Sequence, residues 1–174
     1  VMRLYLVRHG QTDMNKNQMF YGWTDVDINA EGVRQAKRLR EYFREVQLDA
    51  IYSSDLRRAA HTAEIIASGK KMPVQYQSAF RELYYGDWEN QTTAYIKEHY
   101  QEELQGWVTD WKERTMPNGE RFSAFYHRVA RGVDALIQEN RGKQVLLVAH
   151  NGALSALLCH LTGAGMDGFW RFDS

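Results

Sequence analysis

Disulfide chemistry, membrane insertion and a global charge field are all missing from this sequence. With a single cysteine, Cys159, no intramolecular disulfide can form, which fits a reducing compartment. Cys159 lies in the apolar run Leu157-Leu158-Cys159, the setting of a buried small hydrophobe rather than a reactive thiol. No stretch approaches the ~20 apolar residues of a membrane-spanning helix. The apolar start at Leu4–Val7 is too short for the core of a secretion signal. These absences lead to the expectation of a cytoplasmic protein with no membrane partner. Lys and Arg together number 22 and Asp and Glu 22, so no net field points to nucleic acid. Repeats, low-complexity segments and linkers are absent too. What remains is 174 residues, 44% hydrophobic and 25% charged, enough for one domain with a sizeable core but too few for two.

Periodicity divides the chain into alternating elements. Residues 3–7 form a short run of β-formers and are expected as a buried strand. Residues 8–29 are rich in Gly, Asn, Asp and Gln and read as an irregular loop with one helical turn. Val33, Ala36, Leu39, Phe43 and Val46 then recur at helical steps. Residues 49–53 are expected as a second strand, with Ser53, Ser54 and Asp55 as N-caps for a helix ending near Ala67. Pro73–Tyr76 suggests a third strand. The polar and aromatic segment from Thr92 to Lys112 has helical spacing, and Pro117-Asn118-Gly119 breaks the chain. Phe122, Phe125, Val129, Val133, Leu136 and Ile137 mark a long amphipathic helix. Gln144–Ala149 is the strongest strand pattern, and the helix that follows, Ala153–Leu161, is apolar on most faces. Strands alternating with helices imply βαβ units. The expected fold is three-layer α/β/α with a mostly parallel central sheet. Residues 1–174 are expected as one domain, with a small helical cap inserted at about 90–117.

In an open parallel sheet, ligands collect beyond the carboxyl ends of the strands. Arg8, His9 and Gly10 follow the first strand. Ser53–Asp55 follow the second and lead to Arg57 and Arg58, while His150, Asn151 and Gly152 follow the strongest. Two histidines and at least two arginines therefore converge from remote segments. Such a set suits a phosphate ester, whose oxygens an arginine grips with paired hydrogen bonds. Neutral imidazole can attack phosphorus and be released again, splitting one hard step into two. A backbone carbonyl, such as that of Gly10, could fix its tautomer. Taken singly, each signal has a plainer meaning: an Arg-His pair by chance, solvated helix charges at Arg57 and Arg58, a satisfied core histidine at His150. The case rests on their coincidence.

Leu6-Val7-Arg8-His9-Gly10-Gln11-Thr12 resembles the RHGxT signature of the histidine phosphatase (phosphoglycerate mutase-like) superfamily. Asn15 falls where that family has a phosphate-contacting Asn, and Tyr21-Gly22-Trp23 resembles its substrate-side loop. Ser53 to Ala59 resembles its SSDLxRA motif, whose phosphate-gripping arginine falls on Arg58 and not Arg57. Arg81-Glu82 with Tyr85-Gly86-Asp87-Trp88-Glu89 resembles the segment whose Glu donates a proton, which falls on Glu82. Val148-Ala149-His150 resembles the strand end carrying the second catalytic histidine. The resemblance spans essentially the whole chain.

It implies His9 as nucleophile, Arg8, Arg58 and His150 around the phosphoryl group, and Glu82 as proton donor, with no metal or other cofactor. Substrate contacts are implied for Asn15, Gly22, Tyr85, Asn151 and Gly152. Asn151 departs from the glycine usual there. The implied partner is a small-molecule phosphate ester, handled by a monomer or homodimer. The short segment between Glu89 and Pro117 is unlike the longer insertion of glycolytic mutases. Tyr85–Glu89, Trp107, Trp111 and Pro117–Glu120 resemble the subfamily that dephosphorylates a benzimidazole riboside late in cobalamin synthesis. Three alternatives stay open: a mutase or broad-specificity metabolite phosphatase, a metal centre on His9, His150 and Glu82, and a catalytically inert binding module.

Overall fold

A computed structural model describes residues 1–113 and 115–172. Its four strands form one wholly parallel sheet in the order β1-β4-β2-β3. They are β1 (Arg3–Arg8), β2 (Ala50–Ser53), β3 (Val74–Tyr76) and β4 (Gln144–Ala149). β4 lies between β1 and β2, which explains its unbroken apolar sequence. A parallel strand covered on both faces must be apolar on both. Val145, Leu147 and Ala149 pack into one hydrophobic cluster, while Leu146 and Val148 pack into another on the opposite face. The alternation repeats in β2, where Tyr52 and Ile51 face opposite clusters.

Helices close both faces. On one face lie α2 (Ala30–Arg44) and α3 (Arg57–Ser68). On the other lie α6 (Phe122–Glu139) and α7 (Asn151–Thr162). The three-layer α/β/α architecture expected from the sequence is the one observed. A short α1 (Asp13–Lys16) interrupts the first loop, held by a reciprocal capping box between Thr12 and Asn15. Between β3 and α6 come α4 (Thr93–His99) and α5 (Gln101–Thr109), broken from each other at Tyr100. No helix among the described residues is long and apolar enough to cross a membrane.

Two local expectations need correction. Val46 lies beyond the end of α2, although it still packs on the same cluster as Phe43. The N-cap of α3 is Leu56, without a side-chain cap bond, and not Ser53, Ser54 or Asp55. Those side chains have other work. Ser54 Oγ meets His150 Nε2 at 2.9 Å, and Asp55 takes a two-pronged bond from Arg81 at 2.7 and 2.8 Å. The free N–H of Arg57 at the start of α3 is instead met by Asp25 Oδ1 at 2.7 Å. A residue of the first loop thus supplies the acidic cap that the helix's own sequence lacks.

Candidate active site

All the strands run the same way, so the ends of β1, β2 and β4 deliver their following residues to one edge. The rings of His9 and His150 sit there with centroids 5.2 Å apart. His9 Nδ1 lies 2.7 Å from the Gly10 carbonyl oxygen. That oxygen can only accept, so Nδ1 carries the proton and Nε2 keeps its lone pair. Burial, with the Arg58 guanidinium nearby, pushes the His9 imidazole down to about 3, against the pull of the Gly10 bond. The ring is therefore neutral at physiological pH. Burial also holds His150 well below its ordinary value, with Arg58 and His9 adding to the effect. Ser54 Oγ also accepts the Leu56 N–H at 3.3 Å, and its second lone pair and its proton let it meet His150 Nε2 as acceptor or donor. His150 Nδ1 is buried with no partner among the described residues.

Arg58 is 1% exposed, although it stands in the first turn of a helix. Its two terminal nitrogens donate to the carbonyls of Gly22 and Thr24 at 2.5 and 3.0 Å. Tyr21 covers its face, 4.5 Å from the guanidinium carbon to the ring centre. Its Nε, like His150 Nδ1, is buried with no partner among the described residues. An unmade bond at a buried charged donor is costly, so the unpaired Arg58 Nε calls for an anion. Arg57, one residue away, projects to the surface and pairs with Asp27 at 3.4 Å.

Glu82 enters from the opposite side. Its two oxygens accept the backbone N–H groups of Gly152 (2.9 Å) and Leu83 (3.1 Å). Burial raises its pKa, against these two bonds and the charge of Arg58. The approach depends on Gly152, because a Cβ there would stand 2.4 Å from Glu82 Oε1. Arg128 fixes the backbone of the same segment. It donates to the carbonyls of Ala79, Arg81 and Glu82 and pairs with Glu120 at 2.9 Å.

Two cavities are lined by residues of this region. A polar one of about 310 Å³ is lined by Arg8, His9, Gln11, Asn15 and Gln35. An aromatic one of about 300 Å³ begins at Glu82, Asn151 and Gly152 and continues past Tyr85, Trp88 and Phe122. Of the residues expected from the sequence, Arg8, His9 and Asn15 lie on the first cavity, while Glu82, Tyr85, Asn151 and Gly152 lie on the second. Arg58, His150 and Gly22 line neither; the N–H and carbonyl of Gly22 are both bound within the protein. Ser54, Arg128 and Glu89 went unnoticed as site residues in the sequence. Their roles depend on bonds to distant segments, which no local pattern records. No group of three His, Cys, Asp or Glu among the described residues is placed to share a metal ion.

The neutral histidines also bear on stability. Their folded pKa values lie below the unfolded value near 6.5. Below that pH the unfolded chain takes up protons that the folded one refuses. Each histidine then costs about 1.4 kcal/mol per pH unit. Glu82 acts in the opposite sense, because its raised pKa favours the fold most at low pH, but it is one group against two. The unfolding midpoint in urea is therefore expected to fall between pH 7 and pH 5. An unchanged midpoint over that range would contradict two buried neutral imidazoles.

A neutral imidazole, a buried guanidinium with an unpaired Nε and a carboxyl of raised pKa, gathered beyond the strand ends, suit an enzyme of phosphate esters. The sequence model of the histidine phosphatase superfamily (branch 1) matches residues 4–174, and the chain belongs to that superfamily. It is a phosphatase, with small phosphate esters as its substrate class. It is 34% identical to the adenosylcobalamin/alpha-ribazole phosphatase of Escherichia coli K12, over 98% of this chain and 84% of that protein. Phosphoserine phosphatase 1 of Hydrogenobacter thermophilus is 30% identical, over 99% of this chain and 82% of its own length. Among solved structures, the alpha-ribazole phosphatase from Shigella flexneri superposes with a TM-score of 0.92 at 33% identity, covering 98% of this chain and 84% of that one.

Proposed function

We propose that this phosphatase removes the 5′-phosphate of α-ribazole 5′-phosphate, or of the phosphorylated cobalamin itself, through a phosphohistidine on His9. The observation that carries the substrate reading is the aromatic cavity opening beside Glu82. A leaving group there meets the rings of Trp88, Phe122 and their neighbours and, among the described residues, no basic side chain. Flat, uncharged ring systems gain from such a lining. A carboxylate, as in phosphoserine or phosphoglycerate, would lose its water without a cation to replace it.

In this reading His9 Nε2 attacks phosphorus in line, and the ester P–O bond breaks as the P–N bond forms. Arg8, Arg58 and His150 Nδ1 hold the phosphoryl oxygens, where charge develops. Glu82 gives its proton to the departing alcohol oxygen. The resulting carboxylate then takes a proton from water, whose oxygen attacks the phosphohistidine and releases phosphate. Asn15, on the polar cavity with Arg8 and His9, contacts the phosphate, and Tyr85 and Asn151 flank the leaving group. Gly22 acts through its carbonyl on Arg58. Residues 1–174 work as one domain whose cap, about 90–117, closes the aromatic cavity. A monomer or homodimer in the cytoplasm suffices, since one chain supplies the site.

Steady-state assays on α-ribazole 5′-phosphate, phosphoserine, 3-phosphoglycerate and a sugar bisphosphate test the substrate. The expected kcat/KM favours α-ribazole 5′-phosphate by about 10²-fold or more. Equal or better turnover of any of the others overturns this substrate. A second expectation concerns the adjacent arginines. Arg58→Ala should lower kcat/KM for p-nitrophenyl phosphate by about 10²-fold, and Arg57→Ala by less than about threefold. The reverse ranking would place the phosphate grip on the wrong residue.

A further inference from the structure

We infer that Glu89 is a positioning residue for phosphate binding: it shapes the loop whose carbonyls aim Arg58. The inference rests on the reading of Arg58 as a phosphate ligand.

Glu89 gathers an unusual number of donors. Its Oε1 accepts the N–H of Trp23 at 2.7 Å, that of Gly22 at 3.0 Å and that of Tyr85 at 3.3 Å. Its Oε2 accepts the Gly22 N–H at 2.8 Å and the Thr24 hydroxyl at 2.9 Å. One carboxylate thus ties down three consecutive residues, Gly22 to Thr24. The carbonyls of the first and third are the ones that hold the terminal nitrogens of Arg58. Each peptide unit is planar, so fixing the Trp23 N–H fixes the direction of the Gly22 carbonyl in the same unit, while the bond to the Thr24 hydroxyl anchors the residue that carries the second carbonyl. The chain of contacts runs from Glu89 through the loop backbone to the guanidinium.

Close packing pins the same loop. Gly22 lies so near the Leu83 carbonyl that a Cβ would fall 1.7 Å from its oxygen. The segment carrying Glu89 is also stitched to the same loop from behind. Phe20 N–H donates to the Gln91 carbonyl and Asn90 N–H to the Phe20 carbonyl, both at 2.8 Å. Glu89 therefore sits on a braced support, close to a substrate loop that has no regular secondary structure of its own. Charge matters as well as shape. A neutral amide at position 89 would keep one acceptor and present a donor to groups that only donate, the Gly22 and Trp23 N–H groups.

The test uses inorganic phosphate as the anion and p-nitrophenyl phosphate as the substrate, so it does not depend on the natural substrate. Glu89→Gln is expected to weaken phosphate inhibition about tenfold or more. KM for p-nitrophenyl phosphate should rise with it, while His9 still forms the acid-labile phosphoenzyme. In an Arg58→Ala background the same change should have less than about a twofold further effect, because its route runs through Arg58. Multiplying effects in the double variant would overturn the inference, as would unaltered phosphate binding in folded Glu89→Gln. If Glu89→Gln does not fold, Thr24→Val removes one of the five bonds and should weaken phosphate binding a few-fold; no change would again overturn it. Failure of the reading beneath shows differently, as Arg58→Ala alone leaving phosphate binding intact.

Discussion

His9→Ala is expected to lower turnover of p-nitrophenyl phosphate by more than ~10³-fold while leaving phosphate binding within a few-fold of wild type. The split follows from the geometry. In the proposed mechanism the imidazole supplies the attacking Nε2, whereas the contacts to the anion belong to the cations Arg58 and Arg8 and to the neutral His150. The loss should therefore fall on kcat, and the acid-labile phosphoprotein seen on rapid quenching of wild type should vanish. A variant retaining a tenth or more of wild-type turnover would remove His9 from the role of nucleophile. Loss of phosphate binding with normal turnover per occupied site would make it a ligand only.

Glu82→Gln is expected to cost about 10²–10⁴-fold with alkyl phosphates. The amide keeps an oxygen for the Gly152 N–H but has no proton to transfer. The loss should shrink toward tenfold or less with aryl phosphates of low leaving-group pKa, whose oxygens depart without protonation. The pH profile adds an independent reading. Burial raises the Glu82 pKa, so the protonated form persists above the usual carboxyl range. Activity toward alkyl phosphates should then decline on the alkaline side, and that limb should be missing in Glu82→Gln. A deficit that is the same for every leaving group would assign Glu82 to binding.

The legible parts of this molecule are those governed by local pattern or by position at a strand end. The apolar run Gln144–Ala149 announced a doubly covered central strand, and the helical steps from Phe122 announced α6. His9, Arg58 and His150 stood out because they follow strands in a parallel sheet. The burial of Arg58 beside the exposed Arg57 followed from the family resemblance; spacing alone could not separate neighbours. The cap of α3 was misread because Ser53, Ser54 and Asp55 are good capping residues in isolation. Tertiary partners outbid that local preference: His150 for Ser54 and Arg81 for Asp55. Glu89 and Arg128 were illegible for a related reason. Their partners are mostly backbone groups of remote segments, and a backbone carbonyl or N–H looks the same at every position in a sequence.

The pairing of Arg3 with Gln144 has a consequence for biogenesis. β1 has β4 as its neighbour in the sheet and nothing on its other side among the described strands. A nascent chain that has just left the ribosome therefore carries an apolar ribbon with nowhere to dock. At about 5–20 residues per second, it waits roughly ten seconds for its mate to be translated. His9, which follows that ribbon and donates its backbone N–H to the Ala149 carbonyl at the end of β4, gains its buried and neutral state only once β4 is in place. The reactivity proposed for it is thereby tied to translation of β4, and chaperone demand should peak just before that point.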